Sequence, residues 1–396
     1  MGKAKEKKTI VRDNWISSFS IIGEARVNDY TFKLDGQSER SSWVYNSLNL
    51  GIDCGEKYGV VYTELFGGYD ESGKNVIRVH GKKDDGSDDF DTRIDVDWED
   101  RFDDAILKTI GDLSFLTVGL EKTDKGKTFY KKFLSAYDAV AYISEYLKDG
   151  MVVNVRGTIR YSMYQDKTQV HKNITSMVLS SVDDPAKYAA RFTQSVLLDQ
   201  DSASLKPDNI DTDKGVMYVN GRVLDYVGEM NGHEVKGQFP FRKQFEFRMD
   251  FTNQDNCRKI MDRIFKIRKG ITQIAFDGEF IEGGATITAT VDDIPEDIRE
   301  LIDLGLYSEE EALQKLSANG SREQRMVFTR PYFKLVGENK TPVIQRFDEK
   351  YTEDDLYLDY VFAETAAAEK AGENVDTSNT ESQKVSDDDM AWLDAL

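Results

Sequence analysis

The chain has 396 residues, 39% hydrophobic and 31% charged, with a formal net charge of −20. That length predicts two, at most three, domains, each able to bury its own core. No apolar run approaches the ~20 residues a membrane helix needs, and Cys54 and Cys257, far apart and without CxxC spacing, support neither a disulfide framework nor a zinc site, which fits a reducing cytoplasm.

In chain order, residues 1–15 form a basic N-terminal arm. No hydrophobic region follows Met1–Lys8, so no secretory signal is expected. Glu6 stands where a myristoylation motif needs Ser or Thr.

Residues 16–182 read as a first β-rich domain. Its opening stretch recurs without gaps 196 residues later. Arg26–Tyr30 matches Arg222–Tyr226, Asp35-Gly36 matches Asn231-Gly232, and Trp43 and Tyr45 fall on Phe239 and Phe241. Asp-Gly and Asn-Gly predict two-residue hairpins, because both central positions need positive φ. The returning strands alternate: Leu48, Leu50 and Ile52 in one copy, Phe245, Phe247, Met249 and Phe251 in the other. Period two places each set on one face, expected to be the core.

An acidic insertion follows at 66–118; within it residues 82–104 carry eleven acids against four bases. A helix is expected from Ser135-x-x-Asp138, with Val140, Ile143 and Leu147 on one face and Gly150 as its stop. Strands are predicted at Met151–Tyr161, which contains Gly157, and at Asn173–Ser181. Pro185–Leu198 reads as helical and Asp199–Lys214 as a polar linker, so residues 183–214 are taken as a helix and linker between domains.

The second domain spans 215–347. It repeats the helix, with Asn253 or Asp255 as cap, Ile260, Ile264 and Ile267 inside, and Gly270 as stop. Strands are expected at Ile271–Glu282, with Gly278, and at Met326–Val336. Its insertion, 292–325, is expected to be helical, opened by Ile294-Pro295-Glu296 and by the capping box Ser308-x-x-Glu311. Residues 348–396 form an acidic tail, fifteen acids against three bases, predicted to be disordered.

Strands, one helix, then a hairpin describe the five-stranded Greek-key OB barrel, whose helix sits between the third and fourth strands. The expected fold is therefore mainly β with α insertions: tandem OB-fold barrels and a disordered acidic C-terminal tail. Binding an unpaired strand needs cations for phosphates and exposed rings for bases. Net acidity does not forbid it, since residues 105–172 hold eleven Lys/Arg against seven Asp/Glu and only the local field matters.

In the first copy the candidates are Lys33, Arg40, Trp43 and Tyr45 at the first hairpin, and Tyr130, Lys131 and Lys132 after a Lys-rich turn. Arg156, Arg160, Tyr161, Tyr164, Lys167 and Lys172 follow on the fourth strand and its hairpin. Arg156 and Arg160 alternate against Val153, Val155 and Ile159, so they should face away from the core. The second copy contributes Lys236, Phe239, Phe241, Arg242, Lys243 and Arg248, whereas Phe245 and Phe247 read as core.

The segment Ser386–Leu396 places Asp387, Asp388 and Asp389 before Met390, Trp392, Leu393 and Leu396. An acidic stretch with an apolar tip is similar to the C-terminal tail of single-stranded-DNA-binding proteins of bacteria and bacteriophages. With the tandem OB pattern, the chain resembles the bacteriophage type of that family. It departs from the bacterial tail, which ends in Pro-Phe, because Leu396 stands last. The resemblance implies binding of single-stranded DNA in replication, recombination and repair. It also implies a tail that shields the groove and recruits replication proteins such as polymerase, helicase or primase. A bacterial host cytoplasm, no membrane partner, no metal and no cofactor are expected; oligomeric state is left open.

Three other readings compete. Asp95, Asp97, Glu99, Asp100, Asp103 and Asp104 could assemble a Mg²⁺-dependent nuclease site, although a solvated loop is the commoner fate of such a run. His80, His171 and His233 are isolated in sequence and suggest neither a triad nor a metal cluster. OB barrels could also serve RNA binding or a structural scaffold.

Overall fold

The computed structural model describes residues 8–362, apart from 40, 165, 166, 231, 283–293, 295–298, 300, 301, 303–323, 338 and 359. The described chain is mainly β. In order it runs β1 (Ser17–Arg26), β2 (Phe32–Gln37), β3 (Trp43–Asp53), β4 (Val60–Asp70), β5 (Val76–Lys82), β6 (Asp88–Asp97), the short helix α1 (Asp104–Leu107), β7 (Leu116–Lys122) and β8 (Thr128–Phe133). Helix α2 (Ala136–Tyr146), β9 (Val152–Tyr164), β10 (Lys167–Leu179), β11 (Ala189–Leu198), β12 (Ile210–Asp211), β13 (Val216–Met230), β14 (His233–Arg248) and α3 (Gln254–Ile260) come next. The last strands are β15 (Ile271–Ile281), β16 (Arg325–Pro331), β17 (Phe333–Val336), β18 (Thr341–Ile344) and β19 (Arg346–Tyr351).

The pairings close on themselves twice. In the first half, β1 pairs β3, β3 pairs β4, β4 runs parallel to β10, β10 pairs β9, and β9 returns to β1. In the second, β11 pairs β13, β13 pairs β14, β14 runs parallel to β16, β16 pairs β15, and β15 returns to β11. Each ring inserts its helix between the third and fourth strand of its cycle. Leu48, Leu50, Ile52, Val61, Val153, Val155 and Ile159 line the first interior. Phenylalanines fill the second: Phe245, Phe276 and Phe328 stack at 4.6–4.7 Å between ring centroids.

Both helices begin where the sequence places them. The Ser135 side chain caps α2 by accepting from the Tyr137 amide, and Asn253 caps α3 by accepting from Asn256. The predicted stops are corrected: α2 ends at Tyr146 with Leu147 extended, and the turns after α3 end at Phe265 with Lys266 extended, so Gly150 and Gly270, at φ +78° and +62°, turn the chain beyond the helix ends and ahead of β9 and β15.

Four further expectations are corrected. Residues 189–198 form a strand, not a helix, with a single 3₁₀ turn at Pro185–Lys187. β11 lies between β1 and β15 with most of its residues buried, so it lacks the alternation of a half-exposed strand. The polar segment after it carries the short strand β12. Asp35-Gly36 does not turn the first hairpin; it makes a bulge inside β2, with Asp35 at φ +50°, and β2 continues to Gln37, opposite Val44 of β3. The Asn46 side chain accepts the Asp35 amide at 2.7 Å, which satisfies the donor the bulge frees. Finally, the gap-free repeat is not the topological one. β3 takes the place of β13 and β4 that of β14, so Trp43 and Tyr45 have no structural counterpart in Phe239 and Phe241. The second hairpin does reverse at Gly232, φ +73°. The predicted helices of 292–325 fall almost wholly outside the described residues.

β1 and β11 pair antiparallel and join the rings into one sheet, with Phe19 opposite Phe192. Phe19 also pairs Gly157 on β9, and Phe192 pairs Gly278 on β15. A Cβ on Gly278 would stand 2.3 Å from the Phe192 ring. The same device thus recurs about a pseudo-twofold through the Phe19–Phe192 pair.

Candidate nucleic-acid interface

Alternation along β3 and β4 turns Leu48, Leu50, Val61 and Leu65 inward and Tyr45, Ser47, Asn49, Tyr62, Glu64 and Phe66 outward. Tyr45 and Phe66 meet at 5.1 Å between ring centroids. Lys33, from β2, lies 4.8 Å over the Tyr45 ring, and its Nζ donates to the Tyr45 hydroxyl. Gly36 and Gly68 make room, since a Cβ on Gly36 would touch the Tyr45 ring at 2.8 Å and one on Gly68 would meet the Trp43 Nε1 at 2.9 Å. That Trp43 nitrogen is buried without an acceptor.

This aromatic platform continues across the sheet. Two residues from Phe66, Glu64 contacts His171 Nδ1 at 3.0 Å, and His171 Nε2 meets the Ser162 hydroxyl at 2.8 Å. Ser162 lies between Arg160 and Tyr164 on the same face of β9. At the end of this hairpin, the Thr168 hydroxyl donates to the Arg242 carbonyl of β14 at 2.6 Å, so the first ring reaches the second.

There a cavity of about 510 Å³ opens, lined by Asp199, Asp201, Ser202, Asn220, Gly221, Arg222, Arg242, Lys243 and Gln244. Arg222 is held by Glu353 at 2.9 Å and Asp199 at 3.7 Å. Burial, and secondarily the neighbouring charge of Lys172, push the Lys243 pKa down. A phosphate at that place would favour the charged ammonium and so oppose the shift.

The predicted residues divide by environment. Lys33, Trp43 and Tyr45 share the platform, and Tyr164, Lys167, Arg242 and Lys243 lie toward the junction of the rings. Tyr130, Lys131 and Lys132 lie apart on β8, paired only to β7. There Lys132 binds Asp112 at 3.2 Å and Lys131 sits 4.5 Å over the Tyr142 ring. Arg156 and Arg160 both point outward, as alternation requires. Arg156 shares a rung with Ser20 of β1 and Ser176 of β10, away from the platform. Arg40 and the whole of Ser386–Leu396 are outside the described residues.

Several candidates turn out to hold the fold. Phe239 and Phe241 are 2% and 0% exposed and pack on each other, so neither can stack on a base. Tyr161 is buried; its hydroxyl donates to Gln194 at 2.9 Å, and burial raises its pKa far above the ordinary value. Arg160 binds Asp225, a carboxylate 2% exposed that also accepts the Tyr161 amide at 2.6 Å. Lys172 forms a 2.6 Å ion pair with Glu282, both nearly inaccessible. Arg248 binds Glu279 at 2.7 Å, whereas Lys236, paired with Glu234 at the exposed end of its hairpin, stays accessible.

Sequence reasoning overlooked Phe66, although the alternation Tyr62, Glu64, Phe66 marks it. It also read the histidines as isolated. In space His80 Nε2 meets Asp88 at 2.7 Å and His80 Nδ1 meets the Ser114 hydroxyl at 2.9 Å. The amides of Gly111, Leu113, Ser114 and Phe115 are already bonded to protein acceptors. Three of the six acids of the nuclease reading are engaged: Asp103 caps α1, Asp97 binds Lys74 and Asp95 binds Arg93. Among the described residues no group of three His, Cys, Asp or Glu side chains could hold a metal ion, and no helix is long and apolar enough to cross a membrane.

The sequence model of a family described as YorF matches residues 77–264, just under half the chain. No curated protein matches. Among solved structures the chain is similar to a deletion mutant of the single-stranded DNA binding protein from Thermus aquaticus, at 9% identity, covering 68% of this chain and 88% of that one with a TM-score of 0.29. A likeness that slight carries no weight for fold or function.

Proposed function

We propose that the protein binds single-stranded DNA through two OB-like barrels, residues 16–182 and, with β11 added, 189–347. The observation that carries this reading is the strand cycle, first-second-third-fifth-fourth, found in both rings with the third and fifth strands parallel. That is the OB order, and OB folds take single strands on their second and third strands. In the first ring those strands are β3 and β4, which carry the Tyr45–Phe66 pair beneath Lys33. Bases stack on the rings at about 1–3 kcal/mol each, and Arg242 and Lys243 receive phosphates.

By resemblance, this activity serves phage DNA replication, recombination and repair. Asp387, Asp388, Asp389, Met390, Trp392, Leu393 and Leu396 recruit replication proteins. The test is a gel shift with oligo-dT, duplex DNA and RNA in parallel across a salt series. Oligo-dT is expected to bind more tightly than duplex, with affinity falling by a log–log slope of about 0.7 for each phosphate neutralised. Equal binding to duplex, or affinity indifferent to salt, overturns the reading. RNA bound more tightly than oligo-dT would move the function to RNA.

A further inference from the structure

Beyond the end of β16, β17 and β18 form a two-stranded sheet that pairs with no other strand among the described residues. Its neck is tied to β15: Tyr332 donates its amide to the Ala275 carbonyl at 2.8 Å, and Ala275 donates to Gln345 at 2.9 Å. Past the neck every residue of both strands is exposed. Register places Phe333 opposite Ile344 and Leu335 opposite Pro342, so these four share one face. Phe333, Leu335 and Ile344 are 50%, 59% and 47% exposed, and none of the four belongs to either hydrophobic core. An isolated two-stranded sheet is at best marginal in water, and an uncovered apolar face of this kind marks a docking site.

We propose that this face is the seat of the chain's own segment 386–396, bound in cis. The segment holds Met390, Trp392, Leu393 and Leu396 directly after Asp387, Asp388 and Asp389. The hairpin bears Lys340 in its turn, at the end of the apolar face, and Lys334 on the reverse face opposite Val343. Acidic-then-apolar meets basic-beside-apolar. An unpaired strand fits worse, because the face offers bases a single ring, Phe333, among Leu335, Pro342 and Ile344.

Reach is no obstacle. Described structure ends at Phe362, which packs on Phe239. The 24 residues 363–386 extend to roughly 80 Å, more than the width of a globule whose radius of gyration is about 20 Å. Tethering keeps the segment at a high effective concentration near the hairpin.

The experiment uses the full chain with Trp392→p-benzoylphenylalanine, irradiated without nucleic acid and mapped by mass spectrometry. An intrachain crosslink within residues 333–344 is expected. Crosslinks to the outer face of β3 and β4, a crosslinked dimer, or no crosslink each overturn the proposal. A second chain adds Phe333→Ser and Leu335→Ser, exposed positions whose loss leaves the cores intact. Its crosslink yield should fall roughly tenfold, as expected when two large apolar side chains lose their burial; an unchanged yield overturns the proposal. Because no strand is present, failure here is distinct from failure of strand binding.

Discussion

Tyr45 and Tyr161 are both tyrosines on long strands of one ring, yet they do opposite work. Tyr45 faces out beneath Lys33 and beside Phe66, whereas Tyr161 faces in and donates to Gln194. Residue type does not decide between a stacking ring and a core ring; strand parity does. The parity was readable for Phe239 and Phe241. They share odd positions with Phe245 and Phe247, which the same alternation assigned to the core, and β14 carries no bulge between them. At this scale the prediction is that Tyr45→Ala or Phe66→Ala weakens oligo-dT binding by about 1–3 kcal/mol. Fluorescence titration measures it, and unfolding midpoints should stay close to the parent because both rings are only half-buried. Wild-type affinity in both variants would remove the platform from the interface.

At the scale of elements, the sequence was most legible where local chemistry suffices. Caps at Ser135 and Asn253 need only their own turns, whereas the helices end before Gly150 and Gly270, at Leu147 and Lys266. β11 was misread because its alanines and unbroken apolar run carry no strand period. Only its burial between β1 and β15 makes it a strand. Gly157 and Gly278 are the reverse case, where a close approach is essential. A Cβ on Gly157 would stand 1.9 Å from the Asn173 carbonyl oxygen, and one on Gly278 would meet the Phe192 ring. Gly278→Ala should cost about 1–3 kcal/mol by overpacking. Gly157→Ala should cost more, because backbone yields less than a ring. Urea unfolding of both variants gives the order, and the reverse order would refute the argument.

Across the whole molecule, polar pairs join the rings where they meet, and one of them is fully buried. Lys172 and Glu282 come from different rings. Asp225 of the second ring binds Arg160 of the first, and Lys57 binds Glu279. Lys172→Met strands a buried carboxylate and should lower stability by about 3–5 kcal/mol, whereas adding Glu282→Leu should recover most of it. Chemical denaturation of the single and double variants tests this. A single variant as stable as the parent would show that Glu282 finds water or another cation. In the double variant oligo-dT affinity should persist, since Lys172 is occupied inside the protein.

What the sequence by itself determined is local: two successions of strands around a single helix, the capping residues, the segregation of charge, and the acidic segment before Met390 and Trp392. Those features depend on neighbours a few positions apart, which a linear reading contains. Only the tertiary structure decided that β1 and β11 fuse the two rings. It also decided that Lys172 and Arg160 are committed to carboxylates, and that Phe66 completes the platform with Tyr45 and Lys33. Each of these depends on partners tens to more than a hundred residues away, and pairing at that range is set by the closure of the sheet rather than by any local preference.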